Sequence, residues 1–238
     1  MKRNHEKFIK RSFIALMLLL TIHLLPSCVD LDDNDTKISY VAIGNVIDET
    51  SGLKISTDSL LVLYSSTKPT GMTIKSGDRV RVIFNIIGEG GTELGYDKRI
   101  AIEEMAIITV GNVLMVDEAG RDTLKDNTIN LQGCWVAGEY LNTDITYLGS
   151  GSVRHDFYLG YDPMQQNIEG KPVLRLYHDH NNDNSSYGYT YYTLRSFKLS
   201  EYNWPTTPPH QFVLRYKNSN SETKDIELSY DPMVKATE

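Results

Sequence analysis

Residues 178–184 read HDHNNDN. His178 and His180 alternate, so on a strand both imidazoles face the same side. With Asp179 or Asp183 they could offer nitrogen and oxygen ligands to a metal such as zinc. The stretch from Asn181 onward, NNDNSS, is strong turn composition. It lies between two strand-like runs, LRLYHD and YGYTYYTLR, so a solvated hairpin tip is the preferred reading. Metal binding at His178 and His180 is the weaker expectation, and no cofactor is expected.

Tyr187, Tyr189 and Tyr191 fall on one face of the following strand, with Tyr192 on the other. Each ring offers an apolar face and a polar handle, so an exposed row could stack a sugar or a peptide. The same row could instead form one wall of a core. Trp204 sits in the proline-rich stretch YNWPTTPPH, where it could anchor a partner or fold back over the core edge. Cys134, in LQGCWVAG, has no local base or cation and reads as an inert core thiol. The neighbouring acids Glu103 and Glu104 point to opposite faces of a strand, which is wrong for a cooperating glycosidase pair. Gly88 to Gly91 follows a strand but precedes no helical pattern, so it reads as a hairpin turn and not a phosphate cradle. No catalytic residue is assigned.

The amino terminus is more informative. Residues 1–12 are basic, residues 13–25 form an apolar run of thirteen, and Leu25-Pro-Ser-Cys28 follows. The run has the length of a signal-peptide core and is too short to span a bilayer as a helix. The stretch resembles a bacterial lipobox, with small Ser27 preceding a cysteine that becomes the lipidated amino terminus. Two or more acyl chains on Cys28 would hold firmly where one is marginal. The expected partner is therefore the membrane, reached through lipid on Cys28.

Charge narrows the other partners. The chain carries −7 overall, and residues 1–27 carry +4, from five basic groups against Glu6, so the chain from Cys28 onward carries −11. That balance provides no footprint for nucleic acid and disfavours attachment to anionic head groups by surface charge.

These features must be positioned by strands. Short alternating runs bounded by Gly, Asp, Asn and Ser dominate after residue 37, which predicts an all-β protein. Expected strands are 39–47, 59–64, 79–87, 99–110, 112–116, 135–140, 155–161, 172–178, 187–199, 211–217 and 225–230. Four aromatics occupy residues 29–133 (Tyr40, Tyr64, Phe84 and Tyr96), whereas seventeen follow from Cys134 onward. Two separately filled cores account for the shift. The resulting division is a signal peptide at 1–27, an acidic tether at 28–37, a small OB-like barrel at 38–130 and a Tyr-rich antiparallel β-sandwich at 131–238. Within the sandwich, DFYLGYDPM and DIELSYDPM share an intact YDPM, read as two strands ending in one kind of turn.

A lipobox, an acidic tether, a first β domain containing KSGDRVRVIFNI and a Tyr-rich second domain beginning CWVAGEYLN together resemble the NigD-like lipoproteins of Bacteroidetes. The resemblance covers nearly all of the chain beyond the signal peptide. It implies an amino-terminal OB domain, a carboxy-terminal β-sandwich and a cell-envelope location, and it supplies no catalytic residues; the expected location is lipid-anchored at the outer membrane, extending to the cell surface. In lipoproteins of that phylum, acidic residues just after the cysteine resemble a surface-export signal, a role that would fall to Asp30, Asp32 and Asp33. The expected function is a non-catalytic binding or accessory module for a glycan, peptide or envelope protein, with Tyr187, Tyr189, Tyr191 and Trp204 as its surface. The alternatives are a hydrolase with scattered carboxylates and a structural or bacteriocin-immunity-type envelope protein.

Overall fold

The first five strands alternate aliphatic and polar residues and roll into a closed barrel. They are β1 (Tyr40–Asp48), β2 (Leu53–Thr57), β3 (Val62–Ser65), β4 (Arg79–Gly91) and β5 (Tyr96–Ile107). The computed structural model describes residues 38–183, 188–204 and 206–232. Cys28, Asp30, Asp32, Asp33 and Tyr187 lie outside the described residues.

The barrel order is β1-β2-β3-β5-β4, with β4 returning to β1 and a short parallel pairing of β3 with β5. This is the strand order of an OB fold, as expected. Leu53, Ile55, Val80, Val82, Phe84 and Ile100 fill its interior. Gly44 permits the β1–β2 approach, because a Cβ there would lie 2.3 Å from the Ser56 carbonyl oxygen.

The remaining strands are β6 (Thr109–Met115), β7 (Asn130–Ala137), β8 (Tyr140–Gly149), β9 (Asp156–Tyr161), β10 (Val173–Asp179), β11 (Tyr189–Lys198), β12 (His210–Lys217) and β13 (Thr223–Tyr230), with one short helix, α1 (Glu118–Thr123). They form a sheet ordered β13-β12-β10-β9-β6-β11-β8-β7. β6 joins its two halves: Thr109–Asn112 pair with β11, and Val113–Met115 pair with β9. Folding the sheet about β6 buries Leu141, Ile145 and Phe197 of one half against Leu159, Leu174, Leu176, Phe212 and Leu214 of the other. The YDPM echo falls where expected: β9 and β13 both end at the tyrosine.

Three expectations need correction. The second domain begins with β6, about twenty residues before the expected boundary at 130, because β6 (TVGNVLM) is aliphatic and the aromatic count registers only the strands after it. The expected strand 135–140 crosses a turn at Gly138, where φ is 53° and β7 reverses into β8. β2 (LKIST) is not among the expected strands, yet both its neighbours pair with it.

A buried arginine fastens barrel to sandwich. Arg79 of β4 is 1% exposed and donates from Nε to Ser196 Oγ at 2.8 Å. Its Nη2 donates to Asn142 Oδ1 at 2.8 Å and Asp58 Oδ2 at 2.7 Å, and its guanidinium lies 4.2 Å from the centre of the Tyr140 ring. The planar fork suits several acceptors at once. Both faces of β8 are thereby covered, with Leu141 and Ile145 facing the sandwich core and Asn142 facing Arg79.

Candidate functional site

The antiparallel register of β9 with β10 sets Asp156 against Asp179, and that of β8 with β11 sets Gly149 against Tyr189. The ends of all four strands therefore gather at one end of the sandwich. His155 stands one residue before β9, and His178 stands one residue before the end of β10. A tight turn follows, in which Asn181 and Asn182 take left-handed φ values of 50° and 61° that asparagine tolerates. This turn delivers Asp183 back to the strand ends, and Asn181 Nδ2 secures it by donating to the Arg154 carbonyl and to Asp156 Oδ2.

These residues form a buried relay. His178 Nδ1 lies 3.0 Å from the Thr128 carbonyl oxygen, His178 Nε2 lies 2.9 Å from His155 Nδ1, and His155 Nε2 lies 3.1 Å from Asp183 Oδ2. Asp183 Oδ2 also accepts the Ser150 amide at 2.6 Å and the Ser150 hydroxyl at 3.0 Å. A carbonyl and a carboxylate can only accept, so the protons of these two contacts are donated by His178 Nδ1 and His155 Nε2. The amide of Ser150 is the main cause that holds Asp183 down to about 2, and burial is the main cause that depresses His178 to about 4.

Rings pack the relay in place. Phe157 stacks on His178 at 4.7 Å and 5°, and Tyr147 lies 4.5 Å from His155. Tyr191 stacks on Tyr147 at 5.8 Å. Gly151 has φ 79°, and a Cβ there would lie 2.1 Å from Tyr191 Oη, so the 150–152 loop closes over that ring only with glycine.

The relay borders a cleft of about 510 Å³, lined by Asn127, Asn130, Tyr147, His180, Asp183 and Lys217 among others. His180 Nδ1 is buried there and has no hydrogen-bond partner among the described residues. Lys217 forms no ion pair among them. Chemically, every ring nitrogen of His155 and His178 is already engaged. The Ser150 hydroxyl sits on Asp183 and Ser152 and not on an imidazole, so no nucleophile–base pair is formed there.

His178 and His180 both line the cleft, as their alternation implies. Among the described residues no group of three or more His, Cys, Asp or Glu side chains is arranged to hold a metal. The reason is local: the lone pairs and protons of His178 point at His155 and at Thr128. The tyrosine row divides. Tyr189 is 74% exposed, whereas Tyr191 packs on Tyr147. Trp204 is not presented to a partner. Its indole N–H donates to the Leu199 carbonyl at 3.0 Å and its ring packs against the sandwich core. Burial pushes the Cys134 thiol up, in keeping with an inert core cysteine. Sequence reasoning missed His155, Ser150 and Lys217. The available signal was a third histidine at the start of the strand preceding LRLYHD, since neighbouring antiparallel strands bring such ends together.

An OB barrel followed by an aromatic β-sandwich defines a two-domain β protein of the kind anticipated from the sequence. The family described as NigD-like C-terminal beta sandwich domain matches residues 112–230, half of the chain, and the protein belongs to that family. Solved structures share the whole architecture. A protein of unknown function from Bacteroides vulgatus superposes with a TM-score of 0.68 at 16% identity, over 84% of this chain and 95% of that one. A NigD-like immunity protein from Bacteroides caccae gives 0.61 at 20% identity, over 81% and 97%. A Bacteroides fragilis protein provisionally assigned as a lipoprotein gives 0.61 at 10% identity, over 82% and 98%. At these identities the likeness is one of fold. The sequence matches no curated protein.

Proposed function

We propose that this NigD-like protein is a lipid-anchored cell-envelope lipoprotein acting as a non-catalytic binding or accessory module, with the cleft beside His155 and His178 as its recognition surface. The observation carrying this reading is the cleft itself, a preorganised polar concavity whose two relay imidazoles are fully engaged within the protein. Acylated Cys28 is the anchor, the tether with Asp30, Asp32 and Asp33 directs export, and the outer membrane with surface exposure is the destination. Family membership and the fold shared with the B. fragilis and B. caccae proteins support an envelope role.

Fractionation of cells making the full chain tests the anchor, because Cys28→Ala should move the protein out of the membrane fraction. Replacing Asp30, Asp32 and Asp33 with alanine should lower accessibility to external protease without altering the fold, and unchanged accessibility would make the tether a spacer only. Turnover of envelope glycans or peptides by the purified full chain, abolished by His180→Ala, would overturn the non-catalytic reading in favour of a hydrolase.

A further inference from the structure

We infer that the cleft takes a neutral, hydroxyl-rich ligand, a short saccharide, read by His180, Lys217 and Oδ1 of Asp183. The inference rests on the binding reading above and names the ligand class for that site. Its starting point is His180 Nδ1, one of seven buried side-chain polar atoms with no partner among the described residues and the one of them that lines the cleft. It stands in the cleft beside Asp183, whose Oδ2 is saturated by Ser150 and His155 and whose Oδ1 has no hydrogen-bond partner among the described residues.

Charge selects against an anion. Lys217 is the only lysine or arginine among the described lining residues, and the Asp183 carboxylate shares the lining with it. A ligand carboxylate would satisfy Lys217 and meet repulsion from Asp183. A hydroxyl both donates and accepts, so one chemical group serves the acceptor Asp183 Oδ1, the donor Lys217 Nζ, and His180 in either tautomer. The amides of Asn127 and Asn130 and the hydroxyl of Thr190 extend the same mixed donor and acceptor lining. Leu148, 66% exposed at the cleft, offers apolar surface for the C–H face of a sugar ring. The volume of about 510 Å³ lies within the ~300–1,000 Å³ typical of small-molecule pockets.

The test uses the full chain purified in detergent. It is applied to an array of neutral hexose and N-acetylhexosamine oligosaccharides beside their uronic-acid and sulfated counterparts, followed by titration of the strongest neutral probe. Neutral oligosaccharides should bind, and His180→Phe and Lys217→Met should each weaken binding by about tenfold, the loss of one hydrogen bond, while the melting temperature stays unchanged. Preference for the acidic or sulfated probes overturns the inference, as does neutral binding indifferent to both variants. If no saccharide binds yet intact cells still crosslink the protein to an envelope component in a His180-dependent way, the ligand class is wrong and the binding reading survives. Loss of that crosslinking as well defeats both.

Discussion

The sandwich holds histidines among aromatic rings at each end, and the two clusters are built differently. At one end His210 stacks on Trp204 at 4.9 Å and 11° and on Tyr230 at 5.8 Å, with Tyr202 edge-on to the indole. The polar atoms there are satisfied locally: the indole N–H by Leu199, and His210 Nδ1 by the Thr206 hydroxyl at 3.2 Å. At the other end His155 and His178 are joined to each other and to a carboxylate, and the chain of hydrogen bonds reaches a cleft. The first arrangement is a plug. In the second, the same kinds of ring enclose a hydrogen-bonded chain that ends on a carboxylate. One residue, Asp183, makes most of that difference.

Removing it should therefore have the largest effect. The side chains of His155 and Asp183 are 0% and 4% exposed, so Asp183→Ala leaves His155 Nε2 and the Ser150 amide without their acceptor. The expected loss, read by chemical denaturation at pH 7, is larger than that of a single neutral hydrogen bond, because several donors lose their acceptor together. Thr206→Ala at the plug end, which removes one neutral hydrogen bond, should cost only about 1 kcal/mol. Equal losses at the two ends would mean that the relay and the plug are held in the same way.

Acid tests the same contrast without mutation. Burial depresses His178 from 6.5 to about 4, so between these values the unfolded chain binds this proton and the folded chain does not. The contribution of His178 is full above pH 6.5, declines as pH falls and is gone near pH 4. Its size is on the order of 3 kcal/mol. Denaturation curves across this window should show the decline in the native protein and a flatter profile in His178→Phe. A profile unchanged by that substitution would mean that His178 is not the group being titrated.

Much of the fold was legible because its causes are local. Val80, Val82 and Phe84 alternate along β4, and each lies inside the barrel. The turn at Asn181 was readable because asparagine tolerates left-handed backbone. The relay was not legible for the opposite reason. His155 and His178 are 23 residues apart and Ser150 and Asp183 are 33 apart, and only strand register brings them together. HDH suggested a metal because alternation puts His178 and His180 on one side, but local spacing cannot show a third histidine saturating the first. Trp204 misled similarly: proline-rich flanks describe a loop, and whether a loop side chain turns inward depends on His210, Phe212 and Tyr230 across the sheet.

Trp204 sharpens the comparison from the plug side. Trp204→Phe keeps a ring for His210 to stack on, but removes the N–H that serves the Leu199 carbonyl and some of the packed area. A loss of about 1–2 kcal/mol is expected by thermal or chemical denaturation, with no change in saccharide binding. Loss of binding without loss of stability would return Trp204 to the role of a partner anchor.

The smallest effect on stability is expected at Tyr189. It shares a sheet face with Tyr191, yet Tyr191 lies under Gly151 against Tyr147 while Tyr189 stands at the first position of β11 and is 74% exposed. Tyr189→Ser should change stability by no more than about 0.5 kcal/mol, the usual range for an exposed position without special contacts. Tyr191→Ser should cost several times more, since it removes a ring that braces Tyr147 and, through it, His155. The exposed ring stands beside Thr190, which lines the cleft. If titration with the neutral saccharide weakens in Tyr189→Ser while its melting curve overlays that of the native protein, the ring is a ligand contact. If binding too is unchanged, recognition is confined to the polar groups of the cleft, and the tyrosine row serves mainly, through Tyr191, to hold the relay in place.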